Sequence, residues 1–254
     1  YNRVMTQGRR VIAVSDYIAD HLFLHYRVPA QRLRRIYRGV NTAQFHREAG
    51  NERLIRQLVE DWQLAEIDAP VLLMPGRITR WKGQHIVLHA LSLIEGRDFF
   101  CVFVGDSHGH AEYYRELQRL VTTLDLEQRV RFVPATKHMA EAYMLSDGVL
   151  CPSLTPEAFG RIPVEAQALG KPVITSNHGG ALETVQPGAT GWLVPPGDIR
   201  GLTRAITRLL DMPQAAKDAM ATQARAYVCQ YFSLEAMQRQ TLDVYEEVAG
   251  ERAG

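Results

Sequence analysis

Little in this chain points to nucleic acid, a membrane or a disulfide scaffold. Its 29 Lys and Arg nearly balance 28 Asp and Glu, leaving a net charge of +1. No run of cations interleaved with aromatics offers a surface for stacking bases, so no nucleic-acid partner is expected. No apolar stretch approaches the roughly 20 residues of a membrane-spanning helix. The three cysteines, Cys101, Cys151 and Cys229, are odd in number and far apart. Cys101 and Cys151 fall in apolar runs, so they read as reduced core residues and the expected location is cytoplasmic. Repeats and low-complexity segments are absent. At 46 % hydrophobic and 22 % charged residues, the composition is that of an ordinary globular α/β protein of one or two domains.

The most informative stretch is Thr155-Pro156-Glu157-Ala158-Phe159-Gly160-Arg161-Ile162-Pro163-Val164-Glu165-Ala166. Glu157 precedes a helix start, and Glu165 falls inside the helix that Val164, Ala166, Ala168 and Leu169 continue. The amides of Ala158 to Arg161 are then the unpaired donors of a helix N-terminus, which attract anions through free N–H groups and the helix dipole. A carboxylate beside such a seat repels the phosphate itself and suits the hydroxyls of a sugar or ribose attached to it. Upstream, Gly76-Arg77-Ile78-Thr79-Arg80-Trp81-Lys82-Gly83 places cations around a flexible turn after the apolar run 71–74. Two glutamates at one spacing carry almost no information alone. The Gly-Arg…Lys-Gly pattern, Phe159-Gly160 and Gly179-Gly180 sharpen the signal, each falling at a strand's C-terminal end, where open α/β sheets bind ligands. Together they outline a site for a nucleotide-sugar.

Strands are expected over 10–14, 33–37, 71–74, 99–104, 130–133, 148–151, 172–175 and 191–194. Helices are expected after Ser15 and over 52–62, 84–94, 111–124, 139–145, 161–169, 181–185, 198–210, 214–227 and 234–248. Alternation of helices with uniformly apolar strands predicts an α/β, Rossmann-like doubly wound parallel sheet covered on both faces. The polar segment 41–49 reads as a linker. The expected division is a βαβ piece over 1–46 and a Rossmann-like domain over 47–254. The chain opens Tyr1-Asn2-Arg3, without Met and in what looks like the middle of a fold, so the expectation is a piece of a longer protein.

Gly76-Arg77…Lys82-Gly83, Glu157-Ala-Phe-Gly…Glu165-Ala, Gly170-Lys-Pro-Val-Ile and Gly188-Ala-Thr-Gly191-Trp-Leu-Val-Pro-Pro-Gly-Asp198 resemble the C-terminal half of retaining glycosyltransferases of family 4, which have the GT-B fold. Val14-Ser15-Asp16-Tyr17-Ile18 and Ile36-Tyr37-Arg38-Gly39-Val40-Asn41…Phe45 resemble the end of that family's N-terminal domain and its crossover. The resemblance implies that the second domain binds a UDP- or GDP-linked sugar and the first binds a glycan or lipid-linked acceptor. It makes Glu157, Arg77 and Lys82 the catalytic residues. Arg77 and Lys82, with Gly76, would take the diphosphate, Glu157 the transferred sugar's hydroxyls, the Phe159 and Gly160 amides a phosphate, and Glu165 the ribose. The base would lie near 134–136. No metal or other cofactor is implied. The family's glycine-rich loop, acceptor pocket and catalytic-site histidine belong to the part of the first domain that this sequence lacks. Donor binding without turnover is therefore expected of this chain alone, and peripheral membrane contact would come through the first domain.

Blander readings stand beside these. His21 and His25 have i, i+4 metal spacing but no third ligand in view. His108 and His110 suit a solvated loop. Trp81 can cover the donor or pack on the domain. Arg80 and Arg161 border the seat but also suit solvated charges. Gly179-Gly180 can approach the sugar or make a tight turn. Glu183 suits a surface or capping role, and 234–248 can cross back onto the first domain or simply cap the second. Besides a transferase, the pattern fits a GT-B epimerase or phosphorylase, or a non-catalytic nucleotide-sugar binding module.

Overall fold

The alternation expected from the sequence is present in the computed structural model, which describes residues 4–251; the opening Tyr1-Asn2-Arg3 lies outside them. A first unit comprises strand β1 (Val11–Ala13), helix α1 (Asp16–Tyr26) and strand β2 (Leu33–Arg35), the strands pairing in parallel. Ser15 starts α1 as its N-cap, its hydroxyl accepting from the Ile18 N–H at 3.1 Å, because a short oxygen-bearing side chain satisfies an orphan donor of the first turn. Arg27, in the left-handed region at φ 54°, ends it.

The segment expected as a linker is not loose. Phe45 and Val40 are buried in a core they share with the large sheet, and the Arg225 guanidinium donates to the carbonyl oxygens of Phe45 (3.0 Å) and Ala168 (2.5 Å). Helix α2 (Glu52–Asp61) is capped by Asn51. Then come β3 (Val71–Pro75), α3 (Gln84–Ser92), β4 (Phe100–Val104), α4 (Ala111–Thr123), β5 (Val130–Val133), α5 (Met139–Met144), β6 (Gly148–Cys151), α6 (Arg161–Ala168), β7 (Val173–Ser176), α7 (Ala181–Thr184), β8 (Gly191–Val194), α8 (Ile199–Leu210), α9 (Gln214–Tyr231) and α10 (Leu234–Gly250).

Strands β3 to β8 form one parallel sheet in the order β5-β4-β3-β6-β7-β8. Successive strand side chains point to opposite faces, and both faces are apolar. Leu72, Met74, Cys101, Phe103, Leu150 and Ile174 enter one core, with α3, α4 and α8 over it. Leu73, Phe100, Val102, Val149, Cys151 and Val173 enter the other, under α2, α5 and α6. This is the expected doubly wound architecture. Strand order reverses between β3 and β6, so the loops leaving their C-terminal ends diverge and open a crevice, the usual ligand position in such sheets.

Strands β5, β6 and β8 have the expected bounds, and the other element ends differ from expectation by at most four residues. The largest shift is in α9, which continues to Tyr231 because the run Tyr227-Val228 packs inward while Phe232 ends it. Helix α10 crosses back onto the first unit. Val40 pairs with Ser233 in an isolated parallel bridge just before α10, and Glu247 accepts from Arg10 and Arg34. Among the described residues, no helix is long and apolar enough to cross a membrane.

Candidate functional site

The two sequence motifs meet at the switch point. The loop after β3 leans on the loop after β4, with the Gly76 N–H donating to the Val104 carbonyl at 2.9 Å and the Ile78 N–H to that of Asp106 at 2.8 Å. Gly76 has φ +139°, closed to most side chains, and the stem of Lys82 lies 3.6 Å from where its Cβ would be. Gln84, almost wholly buried, donates from its amide nitrogen to the Arg77 carbonyl at 2.9 Å. The loop then turns onto the segment after β6. The Leu154 N–H donates to the Trp81 carbonyl at 2.7 Å, and a Cβ at Gly83 would sit 2.4 Å from the Pro152 carbonyl oxygen. That close approach requires glycine and carries Lys82 across the crevice.

Lys82 Nζ consequently donates to Glu157 Oε1 at 2.8 Å. The residues expected to serve the diphosphate and the sugar separately hold each other. Ser153, a buried residue with no distinctive sequence signal, donates to the same oxygen at 2.6 Å. The His178 ring nitrogen Nε2 lies 2.9 Å from the Ser153 carbonyl. The Lys82 ammonium also sits 4.4 Å from the centre of the Trp81 ring, so Trp81 supports the cation and anchors its loop. Arg77, in the loop after β3, is exposed, and no ion pair or hydrogen bond engages its guanidinium among the described residues. Arg80 points away, paired with Glu116 and resting on Tyr113.

Segment 157–160 presents backbone rather than side chains. Gly160, at φ +87°, precedes α6, whose third residue is Pro163, tolerated there because a first-turn N–H has no helical acceptor. Among the described residues no acceptor takes the N–H groups of Ala158, Phe159 or Gly160. The Phe159 side chain is buried against Tyr37 and Phe232, with ring centroids 6.0 and 5.6 Å away. Its carbonyl lies against Gly180, where an added Cβ would come within 2.5 Å of Phe159 Cα. Gly179 packs on the Glu157 backbone in the same way. The glycine pair thus lets the loop after β7 brace 156–159.

Glu165 lies deeper, 8 % exposed on α6. It accepts from the Tyr143 hydroxyl at 3.1 Å and from Arg161 at 2.8 Å. Burial raises its pKa above the usual carboxylate value, against the opposing pull of Arg161 and the Tyr143 hydrogen bond. Between Glu157, Ser153, Gly160, Ser176 and His178 is a cavity of about 10 Å³, close to the minimum for one water. The buried Ser176 hydroxyl has no partner among the described residues. Segment 134–136 ends β5 at the same sheet edge, two strands from the switch point. His108 and His110 are exposed, as are His21 and His25. Glu183 is a capping residue, its carboxylate accepting from the Asp16 and Tyr17 N–H groups at 2.8 and 2.9 Å.

The sequence model for glycosyl transferases group 1 matches residues 59–227, and that for Glycosyltransferase Family 4 matches residues 1–44. A glycosyltransferase from Rickettsia africae superposes with a TM-score of 0.92 at 32 % identity, covering 98 % of this chain and 66 % of that one. HepE from Anabaena, solved in complex with UDP, gives 0.85 at 29 % identity over 94 % of this chain and 64 % of its own. D-inositol 3-phosphate glycosyltransferase 2 of Catenulispora acidiphila is 30 % identical over 85 % of this chain and 51 % of its own length. The chain spans about half to two thirds of the length of the relatives it matches.

Proposed function

The chain belongs to the glycosyl transferases group 1 family, and from that premise we propose that it carries the donor site of a retaining hexosyltransferase. The donor is a nucleotide-sugar, and the acceptor a glycan or a lipid-linked acceptor. The observation that supports this most is the Lys82–Glu157 pair, which joins the two motifs next to the free amides 158–160. HepE has also been solved with UDP-glucose, which favours a UDP-linked donor.

When the sugar leaves, negative charge grows on the nucleoside diphosphate. Fixed donors aimed at that charge stabilise the transition state more than the ground state. Arg77 is free to make a two-pronged contact with phosphate oxygens, and Lys82 supplies a compact charge. The three amides add dipoles that need no reorganisation. Glu157, released from Lys82 as the diphosphate takes over that cation, accepts from the sugar hydroxyls. Glu165, held by Tyr143 and Arg161, accepts from the ribose. No divalent metal has a role in this proposal.

The test is product analysis with the full-length protein, a UDP-sugar and a glycan acceptor. Release of UDP with a lengthened acceptor, the transferred sugar keeping in the new linkage the anomeric configuration it had in the donor, is expected. Sugar interconversion without an acceptor indicates an epimerase, sugar phosphate formation a phosphorylase, and saturable donor binding without any product a binding module.

A further inference from the structure

We propose that Ser15, in the first unit, is a positioning residue for the phosphate amides of segment 158–160, completing that seat from outside the large sheet; this rests on the proposed donor site. Ser15 is fully buried. Its hydroxyl has one proton and two lone pairs: a lone pair caps α1 at the Ile18 N–H, and the proton goes to the Ala158 carbonyl at 2.5 Å, across 143 residues of sequence.

The Ala158 carbonyl shares a peptide plane with the Phe159 N–H. In a planar trans peptide the two point in opposite directions, and no cis peptide bond occurs among the described residues. Fixing that carbonyl toward Ser15 therefore fixes the Phe159 N–H away from it. The neighbouring plane is held likewise, because the Gly180 N–H donates to the Glu157 carbonyl at 2.9 Å, which orients the Ala158 N–H. Two consecutive amides with no internal acceptor are thus locked by bonds to the opposite ends of their peptide groups. Consecutive oriented N–H groups of this kind bind anions, and a carbonyl that accepts a hydrogen bond strengthens its own N–H as a donor. Glu183 fixes the Ser15 end by holding the Asp16 and Tyr17 N–H groups.

The experiment is NMR titration of this chain with UDP and with uridine, comparing wild type with Ser15→Ala, Ser15→Cys and Ser15→Thr. Loss of one positioning hydrogen bond in Ser15→Ala should weaken UDP about tenfold, with uridine affinity unchanged. Ser15→Thr keeps the hydroxyl and should restore UDP binding. Ser15→Cys, close in size with a weak donor, should fall between, and it carries the test if the alanine variant does not fold. General loosening of the fold would weaken both ligands alike. Equal losses for UDP and uridine, or UDP affinity unchanged in both the Ala and Cys variants, would overturn the proposal. Where this chain binds neither ligand the same comparison is made in the full-length protein, and a full-length protein that binds neither overturns the donor-site reading, and this inference with it.

Discussion

Lys82 and Glu157, 75 residues apart in sequence, are joined by a hydrogen-bonded ion pair of 2.8 Å across the mouth of the crevice. Their side chains are only 13 % and 25 % exposed, so the contact is shielded from much of the solvent screening that weakens surface pairs. A diphosphate entering the crevice competes with Glu157 for Lys82. Replacing Glu157 by Gln should therefore tighten UDP about three- to tenfold, a gain of ~1 kcal/mol in keeping with a partly exposed pair. The same change should remove any preference for UDP-sugar over UDP. Calorimetric titration of both ligands into wild type and Glu157→Gln checks this, and weaker UDP binding in the variant would contradict it.

Gly180 has ordinary helical backbone angles, so its constraint is steric. The Phe159 Cα would lie 2.5 Å from an added Cβ. Gly180→Ala should destabilise the chain by about 1–3 kcal/mol, as overpacking does elsewhere, and weaken UDP by displacing the amides. Gly250→Ala, where nothing among the described residues lies within 4 Å, should leave urea unfolding and UDP binding unchanged.

Tyr143 and Arg161 hold a buried carboxylate. Glu165 has a pKa raised by burial, so above the ordinary value of 4.5 the fold retains its proton more tightly than the unfolded chain. That contribution to stability falls as pH rises through the interval up to the folded pKa. Tyr143→Phe removes one hydrogen bond to the charged form and should destabilise the neutral-pH protein by about 1.5–3 kcal/mol. It should also move the interval upward. Urea unfolding between pH 4.5 and neutrality reads both effects; a variant with wild-type stability throughout would rule them out.

The junction of α10 with the first unit is electrostatic at its end. Arg34 and Arg10 depress the pKa of Glu247 from 4.5 to about 2. A depressed carboxylate stabilises the fold above its unfolded value, and the contribution is lost as pH falls from 4.5 toward 2. Amide exchange relative to the intrinsic rate at each pH should accelerate over that interval in the last turns of α10 in wild type. In Glu247→Gln it should be fast already at neutral pH and show no such step. High salt should reproduce part of the acid effect, since the cluster is only half-buried.

The architecture was legible because period and punctuation agreed. Uniformly apolar strands such as Phe100–Val104 announced a sheet buried on both faces, and the glycines of 76–83 and 157–160 marked where backbone turns at its edge. Contacts between loops were not legible. The Lys82–Glu157 pair depends on β3 and β6 being neighbours and on Gly83 packing against Pro152, neither of which is encoded near either residue. Ser153 shows only as a serine after a strand, Tyr143 only as a helix residue in a short apolar run. Ser15 read correctly as a helix cap, while its second bond, to Ala158, reaches another unit altogether. Gly179-Gly180 suited a turn or a close approach, and the structure puts protein backbone at that approach.

The most direct test of the donor site is calorimetric titration of this chain with UDP, GDP and ADP, with Lys82→Ala and Glu165→Ala alongside and their folding checked by circular dichroism. Saturable binding of UDP in preference to the other two, lost in both folded variants, is the expected result. Binding that survives both substitutions, or an absence of binding by the full-length protein as well as this chain, would contradict the assignment of the crevice at the β3–β6 switch point.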